Sequence, residues 1–151
     1  MYAREHRIPL IGLNVPPEIT RQVARKGFAS LSREQMQKLP GVSCNVDPNY
    51  RKFIKKAVRF HGKGKSFNNF CEAQMVWDTT MAWNIVTFLE KNPDFIIVVL
   101  AGGGHAWKPG IPTQVERHKE IKYQVILPEV STKQDISKIT KNEADYLWLG
   151  I

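Results

Sequence analysis

Cysteine is scarce, long apolar runs are missing and acidic residues are outnumbered. The 151 residues include two cysteines, Cys44 and Cys71, at no metal-ligand spacing. A cysteine-rich scaffold is thereby excluded, and one disulfide is the most the chain can make. Its most apolar stretches, residues 95–101 and 125–127, fall far short of the roughly 18 residues that a bilayer span requires. No transmembrane segment is expected. The opening Met1-Tyr2-Ala3-Arg4-Glu5-His6-Arg7 has no apolar run behind its charges, unlike a secretory signal. Also missing are a Gly-x-Ser-x-Gly elbow, a His-Glu-x-x-His pair and a Gly-Lys-Ser/Thr phosphate loop, and the dinucleotide pattern would need glycine where Trp107 stands. Covalent hydrolase, zinc protease, NTPase and Rossmann dehydrogenase readings lose their support. What is present is 42% hydrophobic and 10% aromatic, an ordinary globular composition. One domain is expected at this length, able to bury roughly 70% of its unfolded surface.

Positive charge gathers in the first part of the chain. Residues 1–65 carry 14 Lys+Arg against 4 Asp+Glu, whereas the remainder carries 8 against 10. The densest part is Arg51, Lys52, Lys55, Lys56, Arg59, Lys63 and Lys65, which on a helix makes a cationic face able to meet phosphates, propionates or anionic lipid. Phe53 and Phe60 fall at core spacing rather than as exposed stacking platforms, so the face reads as solvated and nucleic acid is not the expected partner.

Residues 8–13 form a short apolar run and are read as a first strand. Pro17 and Gly27 bracket a helix over about 17–26, since proline suits a first turn and glycine a cap. Ser32 and Gln35 stand at capping-box spacing for a short helix ending before Pro40. Asp47-Pro48 starts the basic helix, which Gly62 and Gly64 end. From Phe67 to about Lys91 runs the longest helical candidate, apolar on every side and hence buried. Residues 95–100 are apolar throughout, as in a central strand covered on both faces. Residues 119–127 make a further strand, and 133–148 read as a helical or irregular tail. The fold class is α/β, a mixed or mostly parallel sheet of few strands flanked by helices. Three strands are few for a sheet that hides both faces, so the core is expected to be completed by another chain, another copy or an absent N-terminal half.

In open α/β sheets ligands collect beyond the carboxyl ends of strands, and here Ala101-Gly102-Gly103-Gly104-His105 follows the central strand. The glycines let a bound group approach the backbone, and the His105 imidazole can ligate a metal, polarise an oxygen or move a proton near neutral pH. Residues 113–118 are read as one helical turn that brings Arg117 toward the same mouth. On the long helix, Gln74, Asp78, Met81 and Ile85 share a face. The amide and carboxylate either bond to the backbone of a neighbouring loop or line a polar pocket, because burial without partners is costly. His6, His61 and His118 read as surface residues.

The series Phe67, Phe70, Ala73, Gln74, Trp77, Asp78, Met81 and Ala82, followed by Leu100-Ala101-Gly102-x-Gly104-His105 and Gly110-Ile111-Pro112, resembles the ChaN-like haem-binding family of the Tiki, TraB and erythromycin esterase superfamily. The opening residues 8–14, Leu39-Pro40 and the closing Ala144-Asp145-Tyr146-x-Trp148 fit the same pattern in order. The resemblance implies a mixed α/β sheet flanked by helices, a cell-envelope role in iron acquisition, and haem held with a tyrosine ligand at a dimer interface. Tyr50, Tyr123 and Tyr146 are the internal tyrosines. Family domains begin with another strand bearing Gly-Glu-x-His, which is not found here, so the chain resembles the second half of the domain, with a homodimer or a partner chain supplying the rest. The expected cofactor site comprises His105, Gly102, Gly104, Tyr123, Gln74, Asp78, Met81 and Trp107, with Phe70 and Trp77 as further apolar walls. The alternative is a metal-dependent hydrolase in which His105 with Glu72 or Asp78 orients a water on a divalent metal, or a noncatalytic subunit of a split domain.

Overall fold

The computed structural model describes residues 2–58, 64–128 and 139–150. Arg59 to Lys63, with the first part of the tail read over 133–148, lie outside the described residues. The elements are α1 (Tyr2–Glu5), α2 (Pro17–Lys26), a 3₁₀ turn (Phe28–Ser30), α3 (Arg33–Gln37), α4 (Pro48–Val58), α5 (Lys65–Lys91), α6 (Gly103–Ala106), α7 (Ile111–His118), β1 (Ile126–Pro128) and β2 (Tyr146–Trp148).

The helices follow their local signals. Pro17 opens α2, and Gly27, at φ 87°, closes it by donating its N–H to the Val23 carbonyl. The closure is reinforced from α5: Glu72 accepts the Phe28 N–H at 2.7 Å and Asn69 donates to the Arg25 carbonyl at 3.2 Å. Orphan groups at the end of one helix are thus satisfied by another. Ser32 and Gln35 form the reciprocal capping box of α3. Asp47 accepts the Tyr50 N–H at 2.9 Å, an N-cap bond at the start of α4.

At 27 residues, α5 is roughly 40 Å long and serves as the spine. It touches three apolar clusters. Ala73 and Val76 pack with Val15, Ile19, Val23 and Leu39, so α2 lies along one side. Cys71 and Met75 pack with Tyr50, Phe53 and Ile54 of α4 and with Trp107, Val125 and Leu127. Met81, Ala82, Ile85 and Val86 meet Ile111 and Val115 of α7. Each fully buried aliphatic contributes about 1.5–3 kcal/mol, which explains why a helix apolar on all sides is stable only in this central position. Both cysteines are free thiols.

Strands are fewer than the sequence led us to expect. β1 and β2 pair in parallel, with Ile126 opposite Tyr146, Leu127 opposite Leu147 and Pro128 opposite Trp148. The reading of 119–127 shrinks to its last part, and the tail ends in a strand rather than a helix. Residues 8–13 and 95–100 are not strands. Their backbone lacks ladder partners among the described residues, and strand pairing depends on a neighbour however strong the local preference. Nor is 95–100 covered on both faces. Ile97 and Ala101 pack against the α5–α7 cluster, while Ile96, Val98 and Leu100 are 92%, 82% and 91% exposed. Leu10 is likewise 76% exposed. The outcome is a small α/β fold, helical in the main, in which 95–101 is covered on one side and residues 8–12 are exposed throughout.

Candidate functional site

Three elements converge on Asp78. Its position in the middle of α5 buries the carboxyl, leaving the side chain 1% exposed. Tyr50 reaches it from α4: the hydroxyl donates to Asp78 Oδ2 at 2.6 Å. His105 reaches it from α6, with Nδ1 2.6 Å from Oδ1. Burial raises the Asp78 carboxyl above its ordinary value, and the bonds from His105 and Tyr50 act against that rise. The Tyr50 phenol is pushed up strongly, by burial first and then by the adjacent carboxylate, so it keeps its proton and donates. An ionised Asp78 is an acceptor only, which places the His105 proton on Nδ1 and leaves the Nε2 lone pair free in the neutral ring. The side chain of His105 is 21% exposed, so the ring is neither walled off nor fully solvated. A buried carboxylate therefore fixes both the tautomer and the orientation of an accessible imidazole.

The loop that carries His105 is held from behind. Gly110 donates to the Trp107 carbonyl at 2.7 Å, and a methyl at Gly110 would stand 2.5 Å from the His105 carbonyl oxygen. On the other side the turn is open: a methyl at Gly102 would meet only the His105 ring, at 3.9 Å. Trp77 stands edge-on to that ring, with centroids 5.4 Å apart and planes at 87°. From Trp77 a groove of about 280 Å³ runs between α2 and α5, lined by Pro17, Arg21 and Ala24 on one side and Phe70, Gln74 and Trp77 on the other.

The expected site residues separate into two groups. Asp78, His105, Gly102 and Gly104 lie together, and Gln74 and Phe70 line the adjoining groove. The others lie elsewhere. Met81 is buried in the α5–α7 cluster, and Trp107 is buried beside Phe53 with the Lys56 ammonium over its ring. Tyr123 donates to Glu116 at 2.9 Å; burial and that carboxylate push its phenol up to about 12. Glu72 is occupied at the Phe28 N–H, away from His105. Arg117 bonds Asp47 and Gln114 rather than the His105 loop. Among the described residues no three His, Cys, Asp or Glu groups are placed to hold a metal ion. Tyr50, an internal tyrosine considered for the iron, instead bonds Asp78. Arg21 had no signal in the sequence, since only the packing of α2 on α5 brings it to the groove beside Gln74 and Trp77.

A helical α/β domain with a carboxylate-anchored histidine at a glycine-rich turn is the class this geometry defines. The family model described as haem-binding uptake, Tiki superfamily, ChaN matches residues 1–115, about three quarters of the chain, and the chain belongs to that family. No curated protein and no solved structure matches it. The matched region contains Tyr50, Asp78 and His105, while Tyr123 and Tyr146 lie beyond it.

Proposed function

We propose that the chain binds haem, with His105 Nε2 as an iron ligand, and serves in haem or iron acquisition as the family description implies. The observation that carries the reading is the Asp78–His105 bond at 2.6 Å. Histidines that ligate metals commonly donate their other N–H to a carboxylate or carbonyl, which sets the tautomer and strengthens the donor. Bound haem supplies an iron centre whose affinity and potential follow its axial ligand. The chain's own contribution is to hold the imidazole still and to present Trp77 and the groove beside it. A groove of about 280 Å³ lies just below the roughly 300–1,000 Å³ of sites that enclose drug-sized ligands, so the macrocycle would lie across an open face. We also propose a second polypeptide, either another copy or a partner chain, over the bare outer side of 95–100.

Titration of the purified chain with haemin tests the reading. A saturable Soret shift is expected, with affinity reduced at least about tenfold in His105→Ala. An unchanged spectrum and affinity in that variant would overturn ligation by His105, and no Soret change in the native chain would overturn haem binding.

A further inference from the structure

The groove between α2 and α5 holds polar groups that the fold itself does not use. Gln74 is 7% exposed, yet no described residue hydrogen-bonds its amide. Trp77 Nε1 is closed off without a partner, so the indole serves this groove as an apolar wall. Arg21, on the same lining, pairs with no carboxylate among the described residues. Pro17, Ala24, Phe70 and Ala73 are apolar, and the hydroxyl of Thr20 is spent on the Pro17 carbonyl at 3.2 Å. An enclosed polar group without a protein partner is open to a ligand, and the Gln74 amide shares this hollow with the Arg21 cation. An anionic acceptor attached to an apolar body satisfies both.

We propose that this groove is a carboxylate subsite, taking a propionate of the tetrapyrrole whose iron is held at His105. The carboxylate accepts from the Gln74 amide and faces the Arg21 guanidinium, which suits a carboxylate better than lysine does because its donors are forked and planar. The proposal rests on the haem reading for the identity of the ligand. The geometry connects the two points: Trp77 lines the groove and stands edge-on to His105 with ring centroids 5.4 Å apart. A flat ring system held at the imidazole therefore has an edge at the mouth of the groove.

Iron-free protoporphyrin IX, followed by its fluorescence, separates this subsite from iron ligation, and its dimethyl ester removes the negative charge. Protoporphyrin IX is expected to bind about tenfold more weakly to Arg21→Ala and Gln74→Leu than to the native chain. The ester is expected to bind all three equally and weakly. Arg21→Ala keeps the test intact should Gln74→Leu fail to fold, because Arg21 is exposed. If the ester binds as tightly as the diacid, or Arg21→Ala binds normally, while haemin still gives a Soret band dependent on His105, the subsite is overturned and the haem reading stands. If neither haemin nor protoporphyrin IX binds, both fall.

Discussion

Tyr50 and Asp78 act on the site through the orientation of His105. Removing the Tyr50 hydroxyl leaves one oxygen of a buried carboxylate without its donor, and a buried acceptor so exposed costs about 1–3 kcal/mol. Tyr50→Phe is accordingly expected to lower unfolding free energy in urea by that amount, and a change below about 0.5 kcal/mol would show that the bond contributes little. The ¹⁵N chemical shifts of His105 provide a second readout, since a native ring protonated at Nδ1 should lose that preference in Asp78→Leu. The two glycines flanking the loop separate fold from function. Gly110→Ala is expected to displace His105 and to weaken both stability and haemin binding, because its methyl would overlap the His105 carbonyl. Gly102→Ala meets nothing closer than 3.9 Å, so its stability should be native, while haemin affinity falls if the ring approaches the turn there. Equal stability losses in the two variants would contradict this division. At this scale the sequence was partly legible: Gln74 and Asp78 fall one helical turn apart, and their burial called for polar partners, but His105 as the partner of Asp78 was not given by that spacing. Tyr50 as the second donor was not legible, since its hydroxyl meets Asp78 only after α4 packs on α5.

Among the elements, α4 is tied to the turn before β2 by Lys56, whose ammonium lies 2.7 Å from Glu143. Burial of the Glu143 carboxyl would raise it, but Lys56 and the Thr140 hydroxyl and N–H bring it down to about 2. A carboxyl held below its ordinary value near 4.5 contributes stability that is complete above that value and disappears as the pH falls toward about 2. Thermal melts between pH 5 and 2.5 should therefore fall less steeply in Glu143→Gln than in the native chain; parallel slopes would remove this bridge from the account. Helices were the readable elements because their signals are local. Pro17, Gly27, the Ser32–Gln35 box and Asp47-Pro48 each fix an end within a few residues. Strands were less so: β1 keeps only the end of the 119–127 reading, and residues 8–13 and 95–100 have strand composition without a neighbour to pair with among the described residues.

For the whole molecule, the outer side of 95–100 is the dominant unresolved surface. Ile96, Val98 and Leu100 are exposed on a segment that has β-branched composition and no ladder partner among the described residues, the combination that drives strands of different chains together. Light scattering should find the chain associated at micromolar concentration, and Ile96→Lys with Val98→Lys should shift it to monomer while leaving the helical circular dichroism intact. A native chain that is already monodisperse and monomeric would argue against a second polypeptide here. The proposal of a second polypeptide began from a strand count, legible in the sequence, that is too small for a two-sided sheet. The exposed side was not, since alternation cannot be seen in a run that is apolar at every position.

Because α5 contributes to all three clusters, its central amides should be the last to exchange with deuterium, opening only when the molecule unfolds as a unit. Asp78 lies in that stretch, whereas His105 rides on a four-residue turn. The anchor is thus as durable as the protein while the imbalance falls on the imidazole side, and a bound ligand should be felt first as slower exchange around residues 102–107.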